Sequence, residues 1–174
     1  MKINPVDTSE VAGAASRPEI QAKDTSFLEK VRVGAGLNDL YDARDLTEVV
    51  YRVMRDLVEK ETIDHVADEL HKEAVHTDNK RLQMEIADLW EDTNPIVGFI
   101  SHIRQPLRGP APVGIDSKLF LTRVGNEGAV PPNTNAETVV KAVFAATKDE
   151  LSEDRIAEVA ECLPPDIKAL WNAA

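Results

Sequence analysis

The stretch that decides the fold occurs twice, as residues 27–70 (FLEKVRVGAGLNDLYDARDLTEVVYRVMRDLVEKETIDHVADEL) and as residues 120–163 (FLTRVGNEGAVPPNTNAETVVKAVFAATKDELSEDRIAEVAECL). Shifting the first copy by 93 positions aligns it with the second without a gap. Nine of the ten identical pairs are apolar. They are Phe27/Phe120, Leu28/Leu121, Val31/Val124, Ala43/Ala136, Val50/Val143, Asp56/Asp149, Ile63/Ile156, Val66/Val159, Ala67/Ala160 and Leu70/Leu163. Because helices bury such residues, the repeat indicates a shared packing scheme.

Apolar residues recur at the helical period within both copies. In the first copy, a short helix beginning near Ser26 is followed by one along Leu46, Val50, Val53 and Leu57, and by a third over Glu61 to Leu70. The second copy repeats this order. Ser26 with Glu29 has the spacing of a capping box, as does Thr134 with Glu137, and Asp42 is a candidate N-cap of the second helix.

The fourth helices require a different shift. Leu89 and Trp90 resemble Leu170 and Trp171 at an offset of 81 positions, so the first copy carries an insertion within residues 71–84. We therefore predict an all-α protein of two similar four-helix units that arose by internal duplication and pack with approximate two-fold pseudo-symmetry. The predicted regions are a flexible tail (1–23), repeat 1 (24–92), a connector with a short helix (93–115) and repeat 2 (116–174).

Charge and composition limit the partners. The net charge of −11 disfavours nucleic acid and anionic membranes, both of which reward clustered Lys and Arg. No apolar run approaches the roughly 20 residues that span a bilayer. One cysteine, Cys162, cannot close an internal disulfide, and no leader opens the chain, so we expect a cytoplasmic protein.

A metal site has only weak support in the sequence. Glu61, His65 and Glu69 are spaced four apart, and Asp68 with His71 has the spacing found in carboxylate-bridged metal helices. A solvated charged face explains the same pattern, because the second copy has no matching set. There is also no nucleophile elbow and no phosphate-binding glycine loop. We therefore expect no catalytic residues, no metal and no cofactor.

The connector is the stronger candidate for a binding site. Residues 93–114 contain arginines and no acid, which makes them the one positive stretch of an acidic chain. A short helix there can pack between the copies, or it can dock onto another protein with an aromatic residue and an arginine as anchors. The candidate partner-binding residues are Ile96, Phe99, Ile100, Ile103, Arg104 and Arg108.

Two stretches resemble a known family. Phe27 to Leu37 with the Asp42 to Leu57 helix carries one part of the likeness, and Ala136 to Trp171 carries the closer part, with its "LS" before an acidic helix and its "LP" before a closing "LW". The chain resembles the bacterial domain of unknown function 2267, an all-helical module often found in tandem. The resemblance implies fold and tandem arrangement, and it brings no catalytic residues.

These observations favour a non-enzymatic protein-binding or scaffold protein whose two helical repeats contact a protein partner. The alternative is a small-molecule or metal-binding protein, or an enzyme, that uses the polar insertion of repeat 1 around His71 and His76. A homo-oligomer formed through the Phe99 stripe is a third hypothesis.

Overall fold

The computed structural model describes residues 19–20, 22–70, 83–84, 86–91 and 116–174. The first unit, called half 1, comprises the described residues up to 91, and half 2 comprises residues 116–174. Half 1 contains the helices α1 (Ala22–Ala35), α2 (Leu40–Arg55), α3 (Lys60–Leu70) and α4 (Ile86–Glu91). Half 2 contains α5 (Ser117–Glu127), α6 (Ala136–Glu150), α7 (Glu153–Cys162) and α8 (Pro165–Ala173). The prediction of a helical protein is confirmed.

One short strand pairing accompanies the helices of half 1. The strands β1 (Glu19–Ile20) and β2 (Gln83–Met84) pair in parallel, with Glu19 opposite Gln83 and Ile20 opposite Met84. Each strand shortly precedes a helix, and the carboxylate of Asp24 in α1 accepts the backbone N–H of Ile86 at the start of α4. The two helices therefore start side by side.

Several helices begin at residues other than those predicted. α1 starts at Ala22, so Ser26 lies inside the helix, and Glu29 pairs with Arg32 instead of completing a capping box. The N-cap of α2 is Asp39, whose carboxylate accepts the N–H of Asp42. Asp42 was the predicted cap, and it lies in the first turn because the earlier start at Asp39 lengthens the helix and adds backbone hydrogen bonds to it.

The start of α6 also differs in detail. Asn135 is its N-cap, and its side chain accepts the N–H of Thr138 at 2.9 Å. The predicted pair of Thr134 and Glu137 therefore does not form the cap. Asp116 caps α5 and Ser152 caps α7 in the same manner, so three of the four helices of half 2 begin with a side-chain oxygen on an orphan amide.

Each half is built around three aromatic rings. In half 1, Phe27 lies 6.5 Å from Tyr51, which meets Trp90 edge-on at 4.9 Å between ring centroids. In half 2, the corresponding distances are 6.3 Å from Phe120 to Phe144 and 5.1 Å from Phe144 to Trp171. The indole N–H groups donate to backbone carbonyls at aligned positions, that of Ile63 in half 1 and that of Ile156 in half 2. All six rings are buried, so they form the centre of the core.

The two halves share one core, which four helix pairs build. α1 packs along α6, α2 contacts both α5 and α6, and α3 contacts α7. α1 and α6 lie close together at Gly34, where a Cβ atom would lie 3.1 Å from the Cβ atom of Ala142. The small residues at this crossing allow the backbones of α1 and α6 to pack closely. Among the described helices, none is both long and apolar enough to cross a membrane.

Candidate functional site: the contact between the two halves

The predicted partner-binding residues lie outside the part of the chain that the structure describes. This applies to Ile96, Phe99, Ile100, Ile103, Arg104 and Arg108. It applies equally to His71 and His76 of the insertion. Their proposed role therefore stays a prediction. The described residues that carry chemistry are concentrated elsewhere, at the contact between α3 and α7.

We call this contact the polar seam. It consists of Thr62, His65 and Glu69 on α3, and Ser152, Arg155, Glu158 and Cys162 at the start and along α7. Both helices place these side chains toward the other half, between an apolar face that joins the core and a charged outer face. Cys162 is half-buried, and its sulfur lies 3.7 Å from the Thr62 hydroxyl.

Glu69 binds the start of α7. One oxygen of its carboxylate accepts the backbone N–H of Ser152 and the other accepts the Ser152 hydroxyl, both at 2.8 Å. The guanidinium of Arg155 lies 3.3 Å from the same carboxylate. Burial opposes ionisation of Glu69, but the hydrogen bonds from Ser152 and Arg155 outweigh it and lower the pKa of the carboxyl. A carboxylate near a helix N-terminus is also favoured by the helix dipole.

Glu158 is the centre of the seam. Its Oε1 accepts hydrogen bonds from Nδ1 of His65 and from the Thr62 hydroxyl, both at 2.9 Å. Its Oε2 is paired with Arg155 on its own helix. The hydrogen bond from His65, against a smaller desolvation penalty, lowers the pKa of the Glu158 carboxyl. Glu158 is therefore a stable anion and a poor proton acceptor.

These contacts place the candidate metal ligands of α3 in different surroundings. His65 and Glu69 have partners on half 2, while Glu61 and Asp68 are exposed on the outer face of α3. In the described segments, no three side chains of His, Cys, Asp or Glu are grouped so that they could hold a metal ion. The four residues share a helix, as the spacing predicted, but they face different surroundings.

Outside the polar seam, two ion pairs join the halves, and they are reciprocal. Lys30 of α1 binds Asp149 at the end of α6 at 3.1 Å, and Arg123 of α5 binds Asp56 after α2 at 2.8 Å. Lys30 aligns with Arg123 and Asp56 aligns with Asp149 at the offset of 93. Each half therefore supplies the cation of one pair and the acid of the other.

A buried hydrogen bond also joins the two halves. The hydroxyl of Thr147 donates to the carbonyl of Val143, so the Tyr51 hydroxyl donates to the Thr147 oxygen at 2.7 Å. Tyr51 and Thr147 are each about 1% exposed. Burial raises the pKa of Tyr51 well above its ordinary value, more than the hydrogen bond to Thr147 lowers it. This contact joins α2 of half 1 to α6 of half 2 within the buried core.

Sequence reasoning did not single out Ser152, Arg155 or Glu158 as partners of α3. The available signal was the pair of aligned positions 65 and 158, which carry a histidine and a glutamate. A histidine and a glutamate at aligned positions indicate a contact only if the aligned helices, α3 and α7, pack against each other. The apolar repeat by itself does not decide which helices meet.

The comparison with protein families finds a match that covers most of the chain. The profile of the family described as "Uncharacterized conserved protein (DUF2267)" matches residues 24–170, which includes all four inter-half contacts. The chain belongs to the DUF2267 family. The resemblance found in the sequence is thereby confirmed at the level of the family. No curated protein matches the chain. Membership of the DUF2267 family names no role for the chain, so the role of the polar seam is argued from its geometry.

Proposed function

We propose that this DUF2267 protein is a non-enzymatic protein-binding or scaffold protein in which two duplicated helical units present equivalent surfaces to a protein partner. The observation that carries this proposal is the reciprocity of the ion pairs Lys30–Asp149 and Arg123–Asp56. In a contact with two-fold symmetry, if residue i of one unit contacts residue j of the other, then residue j of the first unit contacts residue i of the second. The two ion pairs follow this rule with aligned residues on both sides.

The aromatic cores give independent support for the duplication. The ring contacts of half 1 agree with those of half 2 within 0.2 Å between centroids in both pairs. The helix pairs that join the halves are also exchanged by the alignment, since α1 on α6 corresponds to α5 on α2. These agreements favour an ancestral unit that was doubled and paired with itself.

The proposed scaffold role depends on what an approximate two-fold arrangement does to the outer surface. Glu61 aligns with Asp154 and Asp68 aligns with Glu161, and all four side chains are exposed acids on α3 and α7. A partner that contacts one member of each pair can meet the same chemistry in the other half. Two linked contacts raise the apparent affinity by the effective concentration of the second one.

Two further features of the chain support the proposal. The carboxylates of the polar seam are saturated with hydrogen-bond donors, which suits a structural contact better than proton transfer. The described half-buried cysteine has no disulfide partner, in keeping with a protein that works in a reducing cytosol.

The proposal is tested by capture of partners from the native host with the full chain, followed by binding measurements with the purified partner. Glu61→Lys and Asp154→Lys are matched variants at aligned positions, to be made singly and together. We expect about ten-fold weaker binding for each single variant and about 100-fold weaker binding for the double variant, because the losses at two contacts with one bivalent partner multiply. Lys118→Glu, an exposed change on α5, is the control. Binding by the two single variants and the double variant that equals binding by the parent chain would contradict the proposal.

The connector remains the proposed anchor for the same partner. Phe99→Ala and Arg104→Ala remove the two side chains of the types enriched at binding hot spots. Each substitution is expected to reduce partner recovery at least ten-fold, because truncation of a hot-spot residue typically costs about 2 kcal/mol or more. Unchanged recovery with both variants would show that the connector has no part in docking.

A further inference from the structure

The polar seam joins residues that differ between the two halves. Across α3 and α7, position 65 meets position 158, position 69 meets 155, and position 62 meets 162. The alignment exchanges these positions, because 62, 65 and 69 correspond to 155, 158 and 162. The seam is therefore a contact between two equivalent surfaces that carry different side chains.

The ion pairs outside the seam do not distinguish one half from the other. Lys30 and Arg123 are both cations, and Asp56 and Asp149 are both acids. If half 1 met a second copy of half 1, Lys30 would face Asp56. If half 2 met a second copy of half 2, Arg123 would face Asp149. Both like pairings would keep the two ion pairs.

The seam does distinguish them. In a pairing of two copies of half 2, Glu158 would face the Glu158 of the second copy, and Arg155 would face an uncharged cysteine. In a pairing of two copies of half 1, two His65 side chains would meet, and Glu69 would face Thr62 in place of a guanidinium. Only the pairing of half 1 with half 2 supplies both His65–Glu158 at 2.9 Å and Arg155–Glu69 at 3.3 Å.

We propose that the polar seam is a specificity determinant, which selects half 1 as the partner of half 2 and rejects a second copy of either half. The chain therefore closes on itself instead of joining a second chain through like halves. The physical basis is that a pairing of like halves brings like groups together and loses the acid–base pairs of the seam. The remaining contacts between the halves would tolerate such a pairing, so the seam alone opposes it. The inference rests on the proposed two-fold arrangement.

Cross-linking tests the arrangement separately. Thr62→Cys places a sulfur near the Thr62 hydroxyl, 3.7 Å from the sulfur of Cys162. We expect the oxidised full chain to form a 62–162 disulfide, identified by mass spectrometry of the unreduced digest. Glu61→Cys, at the adjacent exposed position, is the control and is expected not to form the link. Absence of the 62–162 link would overturn both the arrangement and the selectivity.

Exchange of the seam residues tests the selectivity. The first variant of the full chain gives α3 the residues of α7 (Thr62→Arg, His65→Glu and Glu69→Cys), and imitates half 2 paired with half 2. The second gives α7 the residues of α3 (Arg155→Thr, Glu158→His and Cys162→Glu), and imitates half 1 paired with half 1. The third combines all six substitutions, so that unlike seams face each other again with their polarity reversed. All melts are measured in reductant.

We expect each three-residue variant to lower the Tm by about 5 °C, and the six-residue variant to melt above both of them. Such recovery requires that the two blocks be coupled across the seam, since independent effects would add. If the 62–162 cross-link forms and the six-residue variant loses the sum of the two separate Tm losses, the arrangement stands and the selectivity is overturned.

Discussion

Two residues with positive φ follow the first helices of the two halves. Gly36 has φ of +66° and Ala129 has φ of +46°, and these positions align at the offset of 93. At Gly36 the chain forms a Schellman-type end, with the N–H of Leu37 donating to the carbonyl of Arg32 at 2.9 Å. Only glycine adopts this backbone region without a steric penalty. Ala129 therefore carries backbone strain that Gly36 avoids.

Reciprocal substitutions at these positions should have opposite effects. We expect Ala129→Gly to raise the free energy of unfolding by about 0.5–1 kcal/mol, and Gly36→Ala to lower it by about the same amount, because the steric cost exceeds the entropy difference. A Cβ atom at Gly36 would meet no heavy atom within 4 Å, so a clash does not contribute. Urea denaturation provides the measurement. A loss of stability in both variants would contradict the strain at Ala129.

The hydrogen bond of Tyr51 to Thr147 should stabilise the contact between the halves. We expect Tyr51→Phe to lower the free energy of unfolding by about 1 kcal/mol, the typical net value of such a bond. Thr147→Val should cost more, about 1–3 kcal/mol, because it leaves the Tyr51 hydroxyl buried without its acceptor. Phe144, at the position that aligns with Tyr51, shows that the core accepts a phenylalanine ring. Equal stability of Tyr51→Phe and the parent chain would refute the assignment.

The same tyrosine should make the protein sensitive to alkali. Burial raises the pKa of Tyr51 in the folded state above its ordinary value of 10.0. A raised pKa means that the contribution to stability is complete below pH 10 and decreases as the pH rises above it, since only the unfolded chain ionises readily. We expect Tm to fall from pH 9 to pH 11 less steeply in Tyr51→Phe than in the parent chain. Parallel profiles would contradict the burial argument.

At the scale of elements, the last helix of each half is held by a cation from the second helix. Arg55 at the end of α2 donates to the carbonyls of Leu89 and Trp90, each at 2.7 Å. Lys148, which aligns with Arg55, donates to the carbonyls of Trp171 and Ala174 at the end of α8. Cations are favoured at helix C-termini, where carbonyls lack partners. Short helices such as α4 therefore gain order from a neighbour.

The contact of α3 with α7 should weaken in acid. The folded state lowers the pKa of Glu69 below its ordinary value of 4.5, so its contribution is present above pH 4.5 and is lost as the pH falls through the lowered pKa. We expect Glu69→Gln to be less stable than the parent chain at pH 7 by about 1.5–3 kcal/mol, the range of a hydrogen bond to a charged group, and the difference to shrink as the pH falls below 4.5.

Thermal melts at pH 7, 5, 4 and 3 give this comparison. Glu61→Gln is the matched control, because Glu61 is exposed on the same helix. Its effect on Tm is expected to stay small at every pH, as for other exposed charges. A pH-independent loss in Glu69→Gln would indicate that the carboxylate stabilises the fold through shape alone.

At the scale of the whole molecule, stability is a property of the two halves together. The described part of half 2 is 59 residues long (116–174), which is close to the lower limit for an independent core. α6 has buried residues on a broad face and contacts α1 and α2 as well as α5 and α8. In isolation, that face would lose the cover of half 1.

A chain of residues 116–174 is therefore expected to melt at least about 10 °C below the full protein, or without a cooperative transition, since buried aliphatic side chains contribute roughly 1.5–3 kcal/mol each. Circular dichroism provides the melt. Addition of residues 1–115 as a separate chain should raise the Tm of the fragment, because the contacts between the halves can form again. A sharp transition of the fragment at the Tm of the full chain would contradict the shared core.

The sequence by itself determined the helical class, the order of the helices in each half and most of the core. The period of apolar residues around Val50 and Val143, and the glycines and prolines between the helices, are local signals that act within a few residues. The same pattern placed Phe27, Phe120 and Trp171 in the interior, where the structure has them. The candidate connector site from Ile96 to Arg108 lies outside the described residues, so it remains a prediction from sequence.

Only the tertiary structure decided which helices meet and which cap is used. Lys30 and Asp149 are 119 residues apart, and no periodicity within a helix encodes their contact. The contact of His65 with Glu158 is likewise not encoded within one helix. The start of α1 is also a tertiary feature, because the helix begins at Ala22, next to the β1–β2 pair and four residues before the predicted Ser26. These choices depend on free energies summed over long-range contacts, which exceed the local preference of any single capping residue.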